Sequence, residues 1–172
     1  MEIAYPTWFL LYVPPILFLT LLVNYIYDAA VFTCLSVCLK CKTKWKLYKQ
    51  TFLGIWVVGI AGDVGATVLF LLVSFVAPSV QFLYDAVVQP FSSVLGFITA
   101  FIVILAAGYL KYVLNRKVVF KKTDLLDDKS KKYMSLLLGL LTAPWTYIVP
   151  TEVAWKWLSS ILTGIGRLGG MS

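Results

Sequence analysis

Residues 50–77 read QTFLGIWVVGIAGDVGATVLFLLVSFVA, and across these 28 positions the only charged side chain is Asp63. A helix rises 1.5 Å per residue, so about 20 apolar residues cross roughly 30 Å of hydrocarbon. This stretch is long enough to span a bilayer, and Pro78 closes it. Lipid offers no water to backbone N–H and C=O groups, so a crossing segment must satisfy them internally, as a helix does. Working outward, residues 15–39 and 91–115 form two comparable apolar stretches, and 133–149 a shorter one interrupted by Pro144. Pro14 and Pro15 stand at the start of the first, Pro90 opens the third and Pro150 ends the last. The pattern predicts an all-α, polytopic membrane helix bundle: four transmembrane helices in one domain covering residues 1–172.

Composition agrees with that class. The chain is 60% hydrophobic and 13% charged, with a mean hydropathy of +0.87, far from the balance of a water-soluble domain. Its first residues, MEIAYPTW, carry Glu2 and no cation, hence no basic region of a cleavable signal peptide, and the first span is expected to be retained. Tyr5, Trp8, Phe9 and Tyr12 read as an aromatic anchor at the interface.

Cations fix the expected orientation. Lys40, Lys42, Lys44, Lys46 and Lys49 join the first two spans, and eight more, from Lys111 and Arg116 to Lys132, end the third or precede the fourth. Thirteen of the fifteen therefore fall at one face, which the positive-inside rule assigns to the cytoplasm, with both termini and the Pro78 to Pro90 loop outside. The net charge of +7 is thus a topology signal, and nucleic-acid binding is not expected. Lys42, Lys44, Lys46, Arg116 and Lys117 are candidate contacts for anionic lipid headgroups, each worth about 1 kcal/mol near the surface. After Pro150, residues 151–168 place Ala154, Trp157, Leu158, Ile161 and Leu162 on one face and Lys156, Ser159, Ser160, Thr163 and Arg167 on the other. An amphipathic helix lying in the outer interface, or docking on the bundle or a neighbouring subunit, is expected there.

Asp28 and Asp63 are hard to explain as packing, because a carboxylate at the bilayer centre is unfavourable by about 2.5 to 3.5 kcal/mol. Asp28 is twelve residues from Lys40 and Asp63 fourteen from Lys49, so both are expected at nearly one depth on neighbouring helices. Thr20, Asn24 and Asp28 share one face of the first span. On the second, Gly59, Asp63 and Ala66 form a small-residue stripe, and Ser92, Gly96, Ala100 and Ala107 give the third a similar one. Asn24, Asp28 and Asp63 are the candidate substrate or ion path; as inter-helix contacts they would still contribute about 0.6 kcal/mol each.

Chemistry beyond this is thin. Cys34, Cys38 and Cys41 share a face at the end of the first span, but three Cys and no His fall short of the four ligands of a structural zinc site, so no metal or cofactor is expected. No phosphate loop or nucleophile elbow occurs. Tyr27-Asp28-Ala29 and Gly62-Asp63-Val64 lack the paired signatures of intramembrane aspartyl proteases. A non-enzymatic protein is expected.

At the end of the third span, Tyr112-Val113-Leu114-Asn115-Arg116-Lys117-Val118-Val119-Phe120 resembles the Asn-Arg-x-x-(Val/Thr)-Phe helix ending of the GtrA-like family, small four-helix membrane proteins associated with flipping polyprenyl-linked sugars. Asn24-Tyr25-Ile26-Tyr27-Asp28 is similar to the Asn-Thr-x-x-Asp segment of that family's first helix. The family carries its Asn-Arg ending on helices two and four, whereas here it closes the third. The resemblance implies a lipid-carrier role. The expected function is a transport or lipid-translocation component with a polar site at the midplane. The competing expectation is an accessory or assembly subunit of a larger membrane complex, whose partners are membrane lipids and other subunits or further copies of the chain.

Overall fold

The computed structural model describes residues 14–41 and 43–149 and, beyond these, Val153, Lys156, Ser160 and Thr163. Regular structure among them is helical throughout: α1 (Pro14–Cys38), α2 (Lys44–Val76), α3 (Gln81–Val88), α4 (Val94–Leu114) and α5 (Asp128–Leu141), with short 3-10 turns between them. Three of these described helices are long and apolar enough to cross a membrane, namely Leu17–Cys38, Lys44–Val76 and Val94–Lys122. The last extends α4 through a π turn, Asn115–Val119, and a 3-10 turn, Phe120–Lys122.

Local chemistry sets the ends. Helix α1 stops in a Schellman motif, with Lys40 N–H bonded to the Val37 carbonyl, Cys41 N–H to that of Ser36, and Lys40 in the left-handed region at φ 51°. Ser93 caps α4 by accepting from Gly96 N–H at 3.1 Å. Asp127 caps α5 by accepting from Ser130 N–H, which, with the Ser130 hydroxyl, holds its carboxyl below the usual range.

Helices α1, α2 and α4 pack antiparallel in sequence order. Tyr25 meets Phe52 and Trp56 edge-on across α1 and α2, while Gly54 lies against Val119 and Gly65 against Leu110 across α2 and the α4 segment. Helices α4 and α5 cross where both are bare of side chain: a Cβ on Gly108 would stand 2.9 Å from the Gly139 carbonyl oxygen. Two apolar clusters result. One, at the basic end, joins Phe32, Leu47, Ile55, Phe120 and Met134; the other, at the far end, joins Ala66, Phe70, Val87, Ile104 and Tyr147. Along α2 the first ends at Ile55 and the second begins at Ala66, leaving a gap at the level of Asp63.

Three expectations are corrected. Helix α2 starts at Lys44, six residues before 50, because Trp45, Tyr48 and Phe52 stack along it and lysine is a good helix former. The connection 78–90 contains α3, whose Ala86, Val87 and Val88 are buried. The fourth element begins early at Asp128 and ends at Leu141, 14 residues that fall short of the roughly 20 a span needs. Pro144 has no N–H to donate and biases the residue before it away from helix, so the chain passes through a break into a 3-10 turn, Trp145–Ile148. In the tail, Val153, Lys156, Ser160 and Thr163 are helical and exposed; the rest of the amphipathic tail expected over 151–168 lies outside the described residues.

Candidate functional site

In the gap between the two clusters, Asp63 Oδ1 accepts from Lys111 Nζ at 2.8 Å and Asp63 Oδ2 from Asn24 Nδ2 at 2.7 Å. Lys111 also donates to the carbonyl of Thr142. Its side chain is 3% exposed. A helix tilts its side chains toward its own N-terminus, so Lys111, near the C-terminus of α4, leans away from the basic end and into the bundle. Gly62 makes this fit: a Cβ there would overlap the Lys111 stem. Gly59 does the same for Asp28, whose Oδ2 would lie 2.5 Å from an added Cβ. The stripe of small residues on α2 is therefore the socket for two charged side chains.

The break after α5 completes the arrangement. The last carbonyls of a helix have no partner within it, and buried ends need one from elsewhere. Here Leu140 accepts from Trp145 Nε1 at 3.0 Å, Leu141 from the Tyr27 hydroxyl at 2.9 Å, and Thr142 from Lys111. The negative end of the α5 dipole thus faces the ammonium group. Tyr147, carried on the following turn, places its hydroxyl 2.9 Å from Thr67 Oγ1 and 3.3 Å from the carbonyl of Asp63. Non-helical backbone at membrane depth is tolerated where it is buried in protein or lines a cavity, and this segment does both.

A cavity of about 670 Å³ opens beside these groups. Thr20, Asn24 and Asp28 line it from α1, as their shared face predicts, with Asp63 from α2, Lys111 from α4 and the segment 142–147. Much of the remaining wall is apolar, including Leu17, Leu21, Val23 and Ile60. Asp28 is 3% exposed, and its Oδ2 has no hydrogen-bond partner.

Asn24, Asp28 and Asp63 are thus brought to one cavity, but the expected common depth of the two acids is corrected by about a turn. Asn24 stands opposite Asp63, whereas Asp28 faces Gly59. Lys111 is the residue the charge pattern misassigned, since it reads there as one more cation of the basic face. Its usable signal is position: it continues the small stripe four residues after Ala107. Of the candidate headgroup contacts, Lys44, Lys46, Arg116 and Lys117 are exposed at the basic end, and Lys42 lies outside the described residues. Cys34 and Cys38 are exposed and Cys41 is half-buried, its thiol pushed up by burial. Among the described residues no cluster of metal-binding side chains occurs.

Compared with protein-family models, curated proteins and solved structures, the chain matches none.

Proposed function

We propose that this chain is a non-enzymatic transport or lipid-translocation component whose polar site is built from Asn24, Asp28 and Asp63, joined by Lys111. The observation that carries the reading is the cavity: apolar walls surround an ion pair and a second carboxylate, one of whose oxygens has no hydrogen-bond partner, between two packed clusters. Inter-helix adhesion alone needs neither the volume nor the second acid. The partial resemblance to the GtrA-like family points toward a lipid-borne substrate. We place the lysine-rich end in the cytoplasm, with Lys44, Lys46, Arg116 and Lys117 against anionic headgroups, and read the segment after Thr142 as completing a fourth crossing.

Asn replacement tests the reading because it preserves size and hydrogen bonding while removing the charge. Asp28→Asn, which breaks no ion pair, should reach the membrane at normal abundance and fail to complement a deletion, whereas Asp63→Asn strands the buried Lys111 ammonium and should lower abundance as well as function. Unimpaired complementation by the double variant would defeat the transport reading.

A second reading, an accessory subunit of a larger complex, is favoured by α1, of whose apolar span only 11% is buried, against 39% in each of the other two. Crosslinking from Phe18, Leu22 or Ile26, exposed apolar positions on α1, would then trap a protein partner or a second copy rather than lipid.

A further inference from the structure

We infer that the cavity takes an organic cation with an apolar body, its positive group seated on Asp28; the inference rests on the transport reading above and specifies its substrate class. Two carboxylates and one ammonium face the cavity. Lys111 directs two of its three N–H donors to Asp63 and to the Thr142 carbonyl, and both oxygens of Asp63 are taken, by Lys111 and Asn24. Asp28 is the surplus acid. It is 3% exposed, lines the cavity and leaves Oδ2 without a donor. That oxygen is packed against Gly59, so a positive group in the cavity compensates the buried carboxylate through its charge rather than by a hydrogen bond to Oδ2.

The alternatives fit less well. An anionic group would meet the surplus carboxylate, with the ammonium's charge already paired with Asp63. A small inorganic cation such as Ca²⁺ or Mg²⁺ takes about six or more oxygen ligands, and among the described residues no cluster of carboxylates supplies them. The walls instead offer aliphatic surface from Leu17, Leu21 and Ile60 and aromatic rings from Tyr27 and Trp145. Such rings attract cations. A volume of about 670 Å³ suits a medium-sized organic ion, within the roughly 300 to 1,000 Å³ of small-molecule sites.

The test uses two probes of one shape and opposite charge, tetraphenylphosphonium and tetraphenylborate, in equilibrium binding to the full chain in nonionic detergent. Tetraphenylphosphonium should bind saturably and tetraphenylborate roughly a hundredfold more weakly, since like-charge juxtaposition is strongly unfavourable. Asp28→Asn should weaken tetraphenylphosphonium by about ten- to a hundredfold at unchanged elution volume. Val64→Trp, which fills the cavity from α2 without altering a charge, should abolish binding independently. In nanodiscs, competition by phosphatidylethanolamine added to phosphatidylglycerol would identify a lipid amine as the occupant, and its absence a free cation. Equal binding of both probes at a Val64-sensitive site overturns the cation inference and leaves the transport reading standing. No saturable tetraphenylphosphonium binding, or binding indifferent to both substitutions, overturns the inference as well. Normal complementation by the double Asn variant, with cation binding retained by the unaltered chain, defeats transport alone.

Discussion

Lys111 and Asp63 form a buried pair, and such pairs respond asymmetrically to mutation: removing one partner strands the other, whereas neutralising both is nearly harmless. Lys111→Met should therefore destabilise the protein by about 3 to 5 kcal/mol, and adding Asp63→Asn should recover much of the loss, read by unfolding in detergent. If the double variant is no more stable than the single one, the pair is not the source of the effect. At the other extreme of exposure, the Asp127 carboxyl is held low by the Ser130 hydroxyl and N–H. A lowered acid contributes stability above its unfolded-state pKa and loses it as pH falls through the folded value, so the first turn of α5 should fray on acidification below about pH 4. Hydrogen-exchange protection factors across residues 128–131 measure this, and Asp127→Asn should keep the cap while removing the pH dependence. The acids, Asn24 and Thr20 were legible in the sequence because polarity inside an apolar run is conspicuous. Lys111 was not, because a cation five residues before Arg116 looks like any other helix-end lysine until the neighbour bearing Gly62 and Asp63 is known.

At the level of elements, the apolar runs revealed helices and the prolines revealed most of their interruptions, but length misled at both ends. Lysine tolerates helix, so α2 runs on past the hydrocarbon to Lys44, about 50 Å in all. Helix α3 escaped notice because eight residues between Pro78 and Pro90 read equally well as loop. The close α4–α5 crossing depends on Gly108 and Gly139, and only the fold pairs them: a Cβ on Gly139 would stand 2.5 Å from the Gly108 carbonyl oxygen, against backbone that cannot yield. Gly139→Val should separate the helices and withdraw the Thr142 carbonyl from Lys111, lowering thermal stability and cation binding together. The end of α1 offers the opposite change. Lys40 adopts φ 51°, a conformation glycine accepts freely, so Lys40→Gly should stabilise the protein by up to about 1 kcal/mol, seen as a raised melting temperature.

Across the whole molecule the question is where the chain goes after Thr142. Helix α2 carries it from Lys44 at the basic end to Ser79 at the far end, and α4 with its extension returns it to Asp127, so Lys44 and Asp127 should be labelled from one side of the membrane and Ser79 from the other. Helix α5 is 14 residues, about 21 Å, and stops near the level of Lys111, with the chain inside the bundle rather than at a surface. From there it either turns back or completes the crossing. The packing of Ala143 and Tyr147 supports the crossing proposed above: both join the far-end cluster with Phe70 and Val87, and Tyr147 reaches Thr67, a turn beyond Asp63 toward Ser79. On that proposal the broken segment continues outward, as a short helix and an extended piece can when neither alone spans the hydrocarbon. A single cysteine at Ser160, in a chain whose three native cysteines are replaced, should be labelled by an impermeant maleimide from the same side as one at Ser79. Labelling from the side of Lys44 would make 128–149 a re-entrant hairpin, leave three crossings, and put the two termini on opposite faces.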